Sequence, residues 1–144
     1  MFKRFTFETI LASAVAVAVA TSAAWHVPAA AQVGATATQS SVDKGVTVKA
    51  TLKKLAGPEW EFVVVLDSHA EELKDDLAQT AVLLVDGREI RPSQWQGPGS
   101  GGHHREGLLR FPAAGANPLA IELRIQRAGE TGPRVFRWEG AALK

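Results

Sequence analysis

The chain of 144 residues contains no cysteine. That excludes disulfide staples, a thiolate nucleophile, a sulfur-rich metal site and a lipid-attached cysteine. A folded domain built from this chain must stand on core packing alone. An excess of charge of one sign is missing as well. Of 16 basic and 15 acidic residues, Lys3, Arg4 and Glu8 fall within the first 31 positions, leaving 14 of each sign beyond them. Nucleic-acid binders normally carry a strongly basic face, so neither nucleic acid nor an anionic membrane surface is an expected partner. A long hydrophobic run is also lacking. The uncharged stretch from Ile10 to Ala24 is 15 residues, short of the ~20 needed to cross a bilayer.

What the amino-terminal segment does contain is ordered. Lys3 and Arg4 make a positive start, Ile10–Ala20 is apolar, and a small-residue stretch ends in Ala29-Ala30-Ala31. This is the order of a secretory signal peptide, with small side chains at the −3 and −1 positions of the cleavage site. Residues 1–31 are expected to be removed, placing the protein in the periplasm or outside the cell with no stable membrane insertion after cleavage. Residues 32–41 are small and polar and read as a flexible lead-in. Residues 42–144 remain as one domain, long enough to bury roughly 65% of its unfolded-chain surface.

Beyond the lead-in, short runs alternate with a period of two. Val46, Val48, Ala50 and Leu52 share one parity, and Trp60, Phe62, Val64 and Leu66 share the next. The alternates of that second run include Val63 and Val65, which predicts a central strand apolar on both faces. Ala81–Val85 ends at Asp86-Gly87, a strong hairpin turn pair, with Glu89–Arg91 as its short partner. Leu109 with Phe111, Leu119 with Ile121, Leu123 and Ile125, and Phe136 with Trp138 complete the set. About seven short strands with turn signals every 8 to 15 residues predict an all-β sandwich. Ser68-His69-Ala70-Glu71 has the form of a capping box, and Leu73 and Leu77 follow four apart. One or two helical turns, or an irregular crossover between strands, are therefore expected over Ala70–Gln79, a short helical crossover being the first reading.

Two readings stand for the chemistry. Trp95 to Arg105 is a glycine-rich segment ending in Gly101-Gly102-His103-His104-Arg105. Imidazole is a common copper and zinc ligand, and His69 closes another strand, so His69, His103 and His104, completed by Asp67, form one candidate metal set. Strand parity opposes the simplest version, because adjacent residues point to opposite faces. The parity of Leu109 and Phe111 puts His103 and Arg105 inward and His104 outward. The other reading gives the histidines structural roles, requires no cofactor, and makes Trp95 and Arg105 contacts for a protein or small-ligand partner. Glu71, Glu72, Asp75 and Asp76 lack the spacing of a calcium loop and are expected to form a solvated acidic face. Ser68-His69 and Ser100…His103 pair a hydroxyl with an imidazole in sequence. No Gly-x-Ser-x-Gly elbow is present, so the chain is not expected to be an enzyme.

Three stretches carry a resemblance. They are Val64-Val65-Leu66-Asp67-Ser68-His69 with Leu77 behind it; Val85-Asp86-Gly87 leading to Arg91-Pro92 and Trp95; and Gly101-Gly102-His103-His104-Arg105-Glu106-Gly107-Leu108-Leu109-Arg110-Phe111-Pro112. In that order they resemble a group of uncharacterised exported bacterial domains with an immunoglobulin-like β-sandwich. The resemblance covers about Val46 to Trp138, and Gly-Gly-His-His-Arg-x-Gly is its most specific part. It implies a single immunoglobulin-like sandwich and an exported location, and no reaction. The expectation is thus an exported, non-catalytic binding or accessory domain, with a periplasmic copper or zinc module as the alternative.

Overall fold

The computed structural model describes residues 38–144. The expected leader, its cleavage point and residues 32–37 of the lead-in lie outside the described residues. Among the described residues nine strands form two antiparallel sheets. The first has the order β1-β2-β3-β7-β6, and the second β5-β4-β8-β9. Their ranges are β1 Thr38–Asp43, β2 Val46–Lys54, β3 Glu59–Ser68, β4 Ala81–Val85, β5 Arg88–Ile90, β6 Gln94–Gln96, β7 His104–Pro112, β8 Ala120–Ile125 and β9 Arg134–Glu139. The all-β sandwich is as expected. It has two edge strands more than the hydrophobic pattern suggests, β1 and β6, because neither has an apolar repeat of its own.

The period-two pattern places the core. Val46, Val48, Ala50 and Leu52 from β2, and Trp60, Phe62, Val64 and Leu66 from β3, point inward and are buried. Leu83, Ile121, Leu123, Ile125, Phe136 and Trp138 meet them from the other sheet. Phe62 joins the layers: its ring lies 5.6 Å from Phe111, edge-on at 86°, and 5.4 Å from Trp138 across the gap between sheets. Strand β3 is central, between β2 and β7. Asp86 and Gly87 take φ values of 48° and 83°, the paired left-handed conformation that a two-residue hairpin turn requires, and Val85 then pairs with Arg88.

Two local expectations are corrected. Residues 38–41, read as lead-in, belong to β1, which pairs in register with β2 from Thr38↔Thr51 to Asp43↔Val46. A polar edge strand with no buried face of its own leaves no hydrophobic repeat to read. Leu119 does not share the inward row of Ile121 but is 81% exposed. It precedes β8, where the Asp86 carboxylate accepts from the backbone N–H groups of Leu119 and Ala120, each at 3.0 Å.

The crossover over Ala70–Gln79 is the irregular one of the two forms expected, with a single helical turn at its end. Only Leu77–Thr80 is helical, capped by Asp76, whose side chain accepts from the Ala78 N–H. Ser68 does accept from the N–H groups of Ala70 and Glu71, at 3.3 and 3.0 Å, as a capping serine would. No helix follows, because residue 73 bonds elsewhere. Its N–H donates to Gly102 O at 2.9 Å, and its carbonyl accepts from Gly101 N–H at 2.7 Å. Leu73 and Leu77 are buried all the same.

Candidate functional site

At the end of the sandwich where β3 runs out, the crossover meets the glycine-rich loop before β7. Arg105 projects inward from the second position of β7 and is 2% exposed. Its Nη1 donates to the Asp75 carbonyl at 2.6 Å and its Nη2 to the Pro98 carbonyl at 3.1 Å. The guanidinium carbon sits 5.7 Å from the centre of the Trp95 ring, within range of a cation–π contact. Its Nε has no hydrogen-bond partner among the described residues. Arg105 therefore straps the crossover to the glycine loop through carbonyl oxygens rather than a carboxylate.

Trp95, in edge strand β6, is half-buried and packs on the core. Its indole N–H donates to the Pro98 carbonyl at 3.0 Å. A Cβ on Gly97 would stand 2.5 Å from its ring, and one on Gly107 would stand 2.8 Å from the ring and 2.5 Å from Gln96 O. These two glycines are the space in which the indole lies. Of the two residues expected to contact a partner, Arg105 is thus buried and Trp95 half-buried. Arg105 is inside the fold, and Trp95 covers it.

A second buried group lies alongside. Arg127, 5% exposed, donates from Nε to Asp75 Oδ1 at 2.9 Å and from Nη2 to Oδ2 at 3.2 Å, with Glu71 and Glu130 each at 3.1 Å. Burial opposes the charge on Arg127. Bonds from Asp75 and Glu71, with the nearby charges of Asp75 and Glu130, outweigh it, and the guanidinium titrates above its usual range. Glu130 is shared with Arg134, which reaches it through Nε and Nη2, both at 2.7 Å. Those bonds hold the Glu130 carboxyl below the usual carboxylate range, against the opposing effect of burial. Arg134 extends the chain of contacts to the first sheet, donating to the carbonyls of Ser41 at 2.9 Å and Asp43 at 3.0 Å. The acidic face expected over residues 71–76 is thus divided. Glu71, Glu72 and Asp76 are exposed along an open cleft of about 380 Å³, while Asp75 is buried on Arg127.

The histidines do not converge. His104, outward as expected, bonds through Nδ1 to Asp67 of β3 across the ladder, with Glu106 4.0 Å from its Nε2. His103 is not inward. The strand begins one residue after it, its carbonyl accepts from the Ser68 N–H, and the residue is exposed. His69 is exposed at the end of β3, its N–H bonded to Gly45 O at 3.3 Å. Among the described residues no group of three or more His, Asp or Glu side chains stands together to hold an ion. The set of His69, His103 and His104 is not assembled: His69 follows β3, His103 precedes β7, and His104, within β7, is held by Asp67. Neither serine–histidine pair is set for hydrolysis. Ser68 is occupied by backbone N–H groups, and the Ser100 hydroxyl donates to the Lys74 carbonyl at 3.4 Å.

Asp75, Arg127, Glu130 and Arg134 are the residues that sequence reasoning missed as a group. Two left a signal. Arg127 continues the inward row of Ile121, Leu123 and Ile125, and Arg134 begins the inward row of Phe136 and Trp138. An arginine on a core parity at a strand end must bury its charge, and a buried charge needs a partner.

Comparisons with known proteins are sparse. No family model and no curated protein matches the chain. Among solved structures, the chain is similar to MPT63, a secreted protein from Mycobacterium tuberculosis. That match has 16% identity and a TM-score of 0.45, covering 72% of this chain and 92% of that one.

Proposed function

We infer that this chain is an exported, non-catalytic domain that acts by binding a protein partner. One observation carries the reading: apart from the exposed His69 and His103, the candidate site side chains are engaged within the fold. Arg105 and Trp95 secure the glycine loop, Asp75, Arg127, Glu130 and Arg134 secure the crossover, and Asp67 holds His104. What faces solvent without such a duty is the outer side of the five-stranded sheet. There Val63, Val65 and Leu108 lie half-buried in two successive ladder rows. On the opposite sheet the outward Val82 and Leu84 lie beside a lattice of ion pairs, with Glu122 bridging Arg124 and Arg137. The leader supports a periplasmic or secreted location. The neutral charge balance supports a protein rather than a nucleic acid as the partner.

The test places a photo-crosslinking residue at Leu108, and separately at Leu84 on the opposite sheet, in cells producing the full chain with its leader. Both positions are half-buried and outward, so they report equally well on local access. A discrete protein adduct from position 108 in the exported fraction, with little from position 84, is the expected result. No adduct at 108, or equal labelling of both faces, overturns the reading.

A further inference from the structure

We propose that the partner on this face is a second copy of the chain, packed sheet to sheet about a two-fold axis that runs along β3. The proposal rests on the reading above that the outer face of the five-stranded sheet is the working surface. It comes from the order of residues across that face. One ladder row reads Ser40, Lys49, Val65, Glu106 from β1 to β7, and the next reads Thr38, Thr51, Val63, Leu108, Gln96. Each row has an apolar centre on β3 and polar residues towards the β1 edge.

A two-fold axis along β3 exchanges the β2 side of one copy with the β7 side of the other. Val63 and Val65 then face their own symmetry mates, and Thr51 faces Leu108. Lys49 faces Glu106, and the symmetry repeats that pair on the other side of the axis. An isologous interface needs a self-complementary patch of this kind. Within one chain the two charges are not satisfied. Among the described residues Lys49 makes no ion pair, and the sole partner of Glu106 is His104, 4.0 Å away. They flank Val65 from strands on either side of β3, so they do not pair with each other across the apolar centre. Most neighbouring charges on this face are already matched, Lys54 in register with Glu61 being without an ion pair among the described residues. Glu61 takes Arg110 at 3.1 Å and Lys53 at 3.8 Å, and Asp67 takes His104. A cation unpaired among the described residues and a weakly paired anion, one on each side of an apolar strip, fit a second copy of the same surface, while Glu61 and Asp67 on the same strand keep their own cationic partners.

The test is a charge-swap cycle on the processed protein recovered from the exported fraction, with dimerisation read by sedimentation across a concentration series. The parent is expected to dimerise reversibly. Lys49→Glu and Glu106→Lys each set two like-charged pairs face to face and are expected to weaken the dimer at least tenfold. The double variant restores opposite charges and is expected to return within about threefold of the parent. Val65→Arg, outward and remote from the core, is expected to abolish the dimer. Thermal unfolding and far-ultraviolet circular dichroism confirm that each variant folds.

A parent that is monomeric at every concentration overturns the proposal, as does a dimer that survives Val65→Arg or a double variant no tighter than the singles. Crosslinking distinguishes this failure from failure of the wider reading. A monomer whose position 108 still captures a different protein refutes only the self-pairing, whereas a monomer that captures nothing refutes both.

Discussion

Arg105 is a cation held in the interior by main-chain oxygen. Its two carbonyl acceptors come from segments that are far apart in sequence, at Asp75 and Pro98. Removing the side chain abolishes both bonds and leaves a void beneath Trp95. Arg105→Ala is expected to lower stability by about 2–4 kcal/mol in urea unfolding, combining lost hydrogen bonds with a buried cavity. Arg105→Lys is expected to recover less than half of that, since an ammonium cannot span two carbonyls as a planar fork does. Glycines give a sharper contrast at the same scale. A methyl group at Gly107 meets Gln96 O at 2.5 Å and the Gly97 Cα at 2.8 Å, whereas one at Gly99 meets nothing within 4 Å. Gly107→Ala should cost about 1–3 kcal/mol as overpacking does, and Gly99→Ala should leave the urea midpoint unchanged. The inward parity of Arg105 was legible from the spacing to Leu109 and Phe111. Its acceptors were not, because both carbonyls arrive on loops, and no periodic pattern encodes a loop's path.

At the scale of elements, the parts with least hydrophobic pattern are tied down by polar groups. Strand β1 closes against β9 through side chains: beside the Arg134 bonds to Ser41 and Asp43, Gln39 donates from Nε2 to the Arg137 carbonyl and accepts from the Arg137 N–H at 3.1 Å. That amide takes the place of a strand partner and shields the β9 edge from pairing with another chain. Gln39→Ala is expected to cost about 1 kcal/mol and to speed amide exchange at Arg137. The crossover depends on charge instead. The Glu130 carboxyl is held below its usual range chiefly by Arg134, so its folded pKa lies under its unfolded one. Its contribution to stability is complete above the ordinary carboxylate value of about 4.3 and is lost as pH falls through the depressed folded value. Acid titration of urea stability should therefore show a decline beginning near pH 5, and Glu130→Gln should flatten it while lowering stability at neutral pH. The crossover also marks where reading by pattern stops. The burial of Leu73 and Leu77 followed from their spacing. Their conformation did not, because Gly101 and Gly102 compete for the backbone groups of residue 73 that a helix would use.

The described residues share one core, fed from both sheets, and the chain has no cysteine to cross-link the layers. Its inward rows were almost fully readable because each core strand alternates strictly, and a one-residue slip would turn every apolar side chain to solvent. The five-stranded sheet contributes Trp60 and Phe62, the four-stranded sheet Phe136 and Trp138, and the Phe62–Trp138 contact bridges them. Neither sheet has a second interior of its own, so neither can persist once the other has left. Unfolding by denaturant should therefore be a single cooperative step. Tryptophan fluorescence, which follows the packing of Trp60, Trp95 and Trp138, should trace the same curve as far-ultraviolet circular dichroism, which follows the ladders. Phe62→Ala tests this at the junction. It should lower stability by about 3–5 kcal/mol, a large share of the 5–15 kcal/mol typical of a folded domain, and move both curves together. Separation of the two curves, with fluorescence lost before the ladders melt, would show that the sheets are held by independent cores and that the bridge across Phe62 does not govern the fold.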